Sequence, residues 1–478
     1  LATGLLDDYG FGNSFCELFG KGRPPESHVG VIDRLRRLKA PALRRRANAV
    51  ERELFNLGIT FTVYSDKNAI DRILPFDVVP RLLSPADWET INKGVIQRVT
   101  AMNLFLGDIY NKKSIIKDKI IPKDLVVGNE NYREVMQGFT PSHGTYIHIC
   151  GTDIVRDHEG EFRVLEDNGR TPSGVSYVIE NRQLMLRAFP DLIQNVALKP
   201  VDEYGIRLRG ALQALASDAI PDPRVVVLSP GVFNSAYFEH VFLAREMGVP
   251  LVEGRDLVVE NDRVSMRTTA GLKPVDVIYR RIDDEFLDPE AFNPDSLLGV
   301  PGLVAAYRKG NVHLANAIGT GVADDKAVYA YMPRIIRYYL DEEPIIQNVE
   351  THICREPDAL KYTLANVKNL VVKPVGESGG YGITIGPKAT AEELRACRKL
   401  LRENPANYIS QPVVSLSVSP TLIDDKLEPR HVDLRPFAVT GKDTWVLPGG
   451  LTRVALKRGS LIVNSSQGGG TKDTWVLE

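Results

Sequence analysis

The stretch FRVLEDNGRTPSG, residues 162–174, is an apolar, alternating run that ends in Glu166, Asp167 and Asn168, with Arg170 and Gly174 close behind. Residues two apart on a strand share a face, so Glu166 and Asn168 point one way and Asp167 the other. The preceding stretch TYIHICGTDIVRD (145–157) also alternates and turns at DHEGEF, which predicts a β-hairpin. Asp153 on its first strand can lie beside Glu166. Two carboxylates and an amide oxygen suit Mg2+, which keeps waters and takes its remaining ligands from phosphates. Taken alone, the same cluster also reads as a solvated acidic turn, with Asp167 as a surface or supporting residue.

A second stretch answers the first. NLVVKPVGESGGYGITIG (369–386) reads as strand, glycine-rich loop, strand. Lys373 ends an apolar strand and can project its ammonium from a rigid element. Gly376, Gly379 and Gly380 allow backbone N–H groups to close around an anion. The pattern is neither GxxxxGK[ST] nor GxGxxG, and the loop joins two strands rather than a strand and a helix. A flexible hairpin over phosphates therefore fits better than a helix-terminus cradle, and a plain glycine hairpin is the alternative.

Between these stretches the rhythm is α/β. RVVVLSPG reads as a buried strand, AYFEHVFLAREMG as a helix ending at Gly248, and VPLVEGRDLVV and DVIYRRID as further strands, which implies a mostly parallel sheet. Ahead of the hairpin, Ser84-Pro85 caps a helix in DWETINKGVIQRVTAMNLFLGDIY, and helices are expected to dominate up to about residue 135. The arginine run in RLRRLKAPALRRRANAVEREL reads as an exposed helix face, with an acidic partner as the rival. At the far end, HVDLRPFAV and GLTRVALK read as antiparallel strands. KDTWVL occurs at 442–447 and again at 472–477, which does not make a repeat architecture.

The bulk numbers agree with a soluble protein of several lobes. At 478 residues the chain is too long for one core, so about two to four lobes are expected. Lys plus Arg (59) nearly balances Asp plus Glu (61), so no global field draws nucleic acid or an anionic membrane. No apolar run approaches the ~20 residues of a bilayer span, and LATGLLDDYGFGNSF has no basic segment before an apolar one, so a secretory leader is not expected. Cys16, Cys150, Cys354 and Cys397 form no CxxC pair, which argues against thiolate zinc and for reduced thiols in a cytoplasm. His143 and His148, five apart on a strand, face opposite ways and do not share a metal.

VLEDNGRTP, VVKPVGESGGYG and the hinge-like YISQPVV together resemble the ATP-grasp superfamily, in its circularly permuted branch with glutathione synthetase and glutathionylspermidine synthase. The resemblance covers roughly residues 140–478 and is closest to an uncharacterised bacterial group. It explains the order of the motifs, since the permuted branch places the Glu-x-Asn strand before the lysine and glycine loop. It implies a mixed α+β and α/β fold: a mainly helical region at 1–140, a metal-binding hairpin at 141–200, an α/β substrate lobe at 201–320, an ATP-grasp lid at 321–430 and returning strands at 431–478. It also implies roles. Asp153, Glu166 and Asn168 match the metal set, and Glu377 resembles a loop glutamate that reaches a metal. Lys373 and Lys326 match the two phosphate lysines, with Gly376, Gly379 and Gly380 over the nucleotide and Gln411 at the adenine edge.

The activity implied is ATP-dependent ligation with Mg2+: a carboxylate attacks the γ-phosphate, and an amine captures the acyl phosphate as an amide. Small-molecule or peptide carboxylates and amines are the expected partners. Positioning and charge neutralisation carry such chemistry, so no Ser, Cys or His nucleophile is required. Arginines supply the handles for carboxylate or phosphate: Arg435 and Arg453 as catalytic residues on the terminal strands, Arg280 and Arg281 at a strand end of the middle lobe, and Arg170 after the metal strand. Each has a salt bridge to a neighbour such as Asp283 or Asp433 as its rival. NSSQGGGTKD (464–473) reads as a second active-site loop or an exposed turn. Phosphoryl transfer without amide formation, or nucleotide binding in the service of a partner protein, are the alternative activities.

Overall fold

The computed structural model describes residues 5–58, 60–65, 68–375, 382–460, 463 and 469–478, with side chains outside 60–73. Its centre is a mixed sheet, ten-stranded among the described residues. The main path runs Gln347–Asn348, Phe162–Asn168, Ile149–Arg156, Lys426–Arg435, Leu451–Val454, Gly470–Val476 and Phe76–Leu83. The expected hairpin is its second and third members. Strands from the end of the chain continue the sheet beside it, so residues far apart in sequence become neighbours across one surface.

The helix Pro85–Ile109 lies against this sheet. Ser84 accepts from the Asp87 amide and Asp87 accepts from that of Ser84, a capping box with Pro85 in the first turn. Its buried face includes Ile91, Val95, Val99, Met102 and Phe105. Before it, Phe76–Leu83 departs from the helical expectation and pairs in parallel with Gly470–Val476 at the sheet edge. Seven of its eight residues are buried, which erases the alternation that marks a half-exposed strand. Pro80 sits where the pairing register shifts, at an edge, where a missing N–H is tolerated.

The middle of the chain builds a separate parallel sheet in the order His313–Ala315, Val277–Arg280, Val225–Leu228, Leu251–Val252. The helix Tyr237–Met247 ends at Gly248 with φ 63°, as its sequence predicts. A further sheet is antiparallel, His352–Ile353, Tyr408–Pro412, Leu370–Pro374 and Thr384–Ile385, backed by the helix Ala391–Glu403. It holds its own small core of Cys354, Val367, Val372, Cys397 and Leu401.

The four cysteines are buried and unpaired with one another. Part of the arginine run meets acids of this chain, Arg46 with Asp191 at 2.6 Å and Arg44 with Asp425 at 2.9 Å. Among the described residues no helix is long and apolar enough to cross a membrane. The two KDTWVL copies occupy unlike places, with Trp475 fully buried on Gly470–Val476 and Trp445 partly buried on Thr444–Val446.

Where the hairpin meets the middle sheet, His148 is buried and neither ring nitrogen has a hydrogen-bond partner. Burial, reinforced by His313 and His143, pushes its pKa down to about 3. From the ordinary value near 6.5 down to about 3 the unfolded chain therefore binds the extra proton, and stability is lost as pH falls. Moving from pH 7 to pH 5 should cost about 2 kcal/mol through this group. Urea titrations at both values should show that difference between the wild type and His148→Leu, with the variant less sensitive to acid.

Candidate functional site

In the hairpin, Asp153 stands opposite Glu166 and Gly151 opposite Asn168, and the register slips by one between Asp153 and Ile154. Leu165 is thus the extra residue of a bulge, a device that re-aims side chains. Ile154 and Val164 stay in the core while Glu166 and Asn168 line a cleft. Asn168 donates to the Gly151 carbonyl at 3.1 Å, so its amide oxygen is the atom left for a ligand. Asp167 is neither exposed nor loosely held. It is buried, takes a two-pronged contact from Arg98 at 3.1 and 2.5 Å, and accepts from Thr152 at 3.2 Å.

Asp153 has a different neighbourhood from the one its motif predicts. Arg435 grips both its oxygens, the Nη2–Oδ2 contact being 2.8 Å, and Arg453 Nη2 adds a bond of 2.6 Å. Arg453 also holds Asp433, with Nε 3.0 Å from either carboxylate oxygen. Burial alone would raise the Asp153 carboxyl, but Arg435 and Arg453 hold it well below the usual range. Arg435 Nη1 donates to the Ser173 carbonyl at 3.2 Å, and its Nη2 lies 3.9 Å from Glu166. Gly151 makes this crossing possible, since a Cβ there would sit 3.1 Å from Arg435 Cδ.

Lys373 lies on the strand Leu370–Pro374, close enough to this assembly for its charges to act on the ammonium. Burial pushes its pKa down to about 8, Glu166 and Asp153 resist that fall, and Lys326 adds to it. Burial also raises the Glu166 carboxyl, with Asp153 contributing, while Lys326, Arg435 and Arg453 oppose the rise. These groups therefore sense one another across a single space. Glu166, Asn168, Arg170, Lys326 and Val375, two residues beyond Lys373, line one cleft. Lys326 opens the short helix Lys326–Ala330, whose cap is Asp325, accepting from Ala327 and Val328.

Other predicted residues land elsewhere. Arg280 is buried and donates to the carbonyls of Asn316 (2.7 Å), Ile282 (2.8 Å) and Ala317 (2.9 Å), with Asp284 as ion partner at 2.8 Å. Arg281 is buried against Pro172, Ser173, Tyr279 and Glu239. Both are consumed by the protein's own groups, which corrects their reading as substrate handles. The Gln411 side chain is buried and donates to Thr351 at 2.8 Å. Gly376, Glu377, Gly379 and Gly380 lie outside the described residues, as do 464–468 of the second glycine loop.

For Mg2+ the donor chemistry fits in part. Glu166, with a third of its side chain accessible, and the Asn168 amide oxygen are oxygen donors on one face. Among the described residues no three His, Cys, Asp or Glu side chains converge as a ready-made metal site. Sequence reading missed Asp324, which lines the cleft and pairs with Arg170 at 2.9 Å. Burial pushes its pKa up to about 6 against the pull of Arg170. The doubled acid before Lys326 in GVADDK was its only signal.

The sequence pattern of circularly permuted ATP-grasp type 2 proteins matches residues 80–455. An uncharacterized protein of Synechocystis sp. is 52% identical over 475 residues, 99% of each chain. One from Mycobacterium tuberculosis is 51% identical over 466 residues, 97% of this chain and 84% of its own. A Frankia alni protein provisionally named a glutamate–cysteine ligase is 43% identical over 460 residues, 96% of this chain but 53% of that one. Among solved structures, the apo form of a glutathione synthetase-like effector from Globodera pallida superposes with a TM-score of 0.57 at 11% identity, covering 92% of this chain and 98% of that chain. At such low identity the likeness is one of fold.

Proposed function

Because this chain belongs to the circularly permuted ATP-grasp type 2 family, we propose that it is an ATP-dependent carboxylate–amine ligase working through an acyl phosphate. The observation that supports this most is a cleft lined by Glu166, Asn168, Lys326 and Val375, with Lys373, two residues before Val375, close enough to Glu166 and Lys326 for their charges to act on it. Two ammonium groups facing a carboxylate and an amide oxygen suit a polyphosphate carried by a hard cation. Glu166 and Asn168 would hold Mg2+, which would supply positive charge against the phosphates. Val155, Val349 and Leu416, with Leu165 and Val414 against them, form a small apolar cluster between hairpin and lid that suits a nucleobase face.

In this reading a substrate carboxylate oxygen bonds to the γ-phosphorus and ADP leaves. An amine nitrogen then bonds to the acyl carbon, phosphate leaves, and the amine loses a proton. Lys373 and Lys326 hold the phosphates in line, and Arg170, one-third exposed at the cleft, faces the incoming carboxylate. Arg435 and Arg453, balanced by Asp153 and Asp433, brace the hairpin that carries Glu166. Just over half of the Frankia protein corresponds to this chain. Its name therefore suggests only a class of acid, an amino acid or short peptide.

ADP release measured over a panel of amino acids, short peptides and polyamines tests the proposal, with the amide identified by mass. ADP without amide points to phosphoryl transfer alone, and nucleotide binding without turnover to a partner-serving protein. Glu166→Gln should raise the Mg2+ concentration for half-maximal ADP release by at least about tenfold. Its melting temperature should stay near that of the wild type, because the side chain reaches the cleft rather than the core.

A further inference from the structure

The turn after the metal strand is gripped from two sides by one segment of chain. Asp324 accepts from the Gly169 amide at 2.5 Å through Oδ1 and from Arg170 Nε at 2.9 Å through Oδ2. Asn316 Nδ2 donates to the carbonyls of Gly169 (2.8 Å), Arg170 (3.1 Å) and Ile149 (2.7 Å). Its Oδ1 accepts from the amides of His148 (2.7 Å) and Ile149 (2.8 Å). Asn316 is itself fixed, since buried Arg280 donates to its carbonyl. One amide side chain thus ties the start of one hairpin strand to the end of the other, and one carboxylate ties that end to the residues before Lys326.

Contact between the segments is close. A Cβ at Gly321 would lie 2.8 Å from Arg170 Cδ and 2.9 Å from Asn131 Cβ. A Cβ at Gly169 would lie 2.7 Å from the Ile147 side chain and 3.3 Å from Asp324. The Gly169 N–H and both the Gly169 and Arg170 carbonyls are thus bonded, so another shape of the turn would break these bonds.

We propose that Asn316 and Asp324 are positioning residues that set Asn168 and Arg170 in register with Lys326, so that metal-side and phosphate-side groups are held in one frame. This rests on the nucleotide reading of the cleft. Asn316 matches two amides and three carbonyls, which only a side chain with both a donor and an acceptor can do. Asp324 meets two donors, so an amide at 324 sets N–H against N–H. The change Asp324→Asn swaps one atom and leaves packing alone, yet loosens the turn.

ADP affinity of the full chain, measured by calorimetry with and without Mg2+ beside metal-free melting, tests the proposal. Asp324→Asn should melt near the wild type, while the gain in ADP affinity from Mg2+ should shrink at least about tenfold, the usual effect of losing a supporting bond to a metal site. Asp324→Glu, which keeps the charge but displaces it by a methylene, should lose the same gain and serves if the asparagine variant does not fold. A folded variant in which Mg2+ strengthens ADP binding as much as in the wild type overturns the positioning role. If wild type itself binds no ADP, the nucleotide reading of the cleft falls, and this role with it.

Discussion

Lys373→Ala should lower ADP release by about a thousandfold or more and leave the protein folded. The side chain comes from the strand Leu370–Pro374 and lies close enough to Glu166 and Lys326 for their charges to act on it. A preorganised cation at the transferring phosphoryl group in a partly dry cleft contributes about 4 kcal/mol to the barrier, which is about three powers of ten in rate. Burial already presses the Lys373 pKa down to about 8, so at neutral pH its charge burdens the folded state rather than supporting it. Alanine is therefore expected to melt at the wild-type temperature or slightly above. A wild-type protein that loses nucleotide affinity as pH rises through about 8 would identify the same group. Turnover persisting in a folded Lys373→Ala protein would place the phosphates elsewhere.

Arg453→Leu should cost about 3–5 kcal/mol of stability, seen as a lowered urea midpoint at pH 7. Arg453 is buried and lies between two carboxylates, Asp433 and Asp153, that have almost no exposure. Arg435 still covers Asp153 once Arg453 is gone, so Asp433 becomes the orphan. Burial raises its carboxyl, and Arg453 is the first group that opposes this. Removing the charge as well, in Arg453→Leu/Asp433→Asn, should return much of the loss. Activity supplies the second reading. If Arg453 acts only as a brace, turnover returns with stability in the double variant; if it also touches substrate, turnover stays low.

The local pattern of this sequence determined the hairpin, the shared face of Glu166 and Asn168, and the strand that ends at Lys373 and Pro374. Strand alternation and glycine content are properties of neighbouring residues, and need no knowledge of the rest of the chain. The resemblance they carry also anticipated the permuted family, in which the Glu-x-Asn strand precedes the lysine. Other features were not legible. Phe76–Leu83 is buried on both faces, so it lost the alternation that would have marked it. An arginine reads the same in sequence whether it waits for a substrate or is bonded to the protein, and Arg280 and Arg281 proved to be bonded.

Tertiary structure alone decided which charges neutralise which. Asp153 and Arg453 are 300 positions apart, and Gly169 and Asp324 are 155 apart. Such pairs form because an unpaired charge or amide taken out of water is costly, and the partner is whatever the fold brings within reach. Nothing in the local order of residues encodes that choice. The types of chemical group at this site were set by short motifs, whereas their division into ligands, braces and clamps was set by burial.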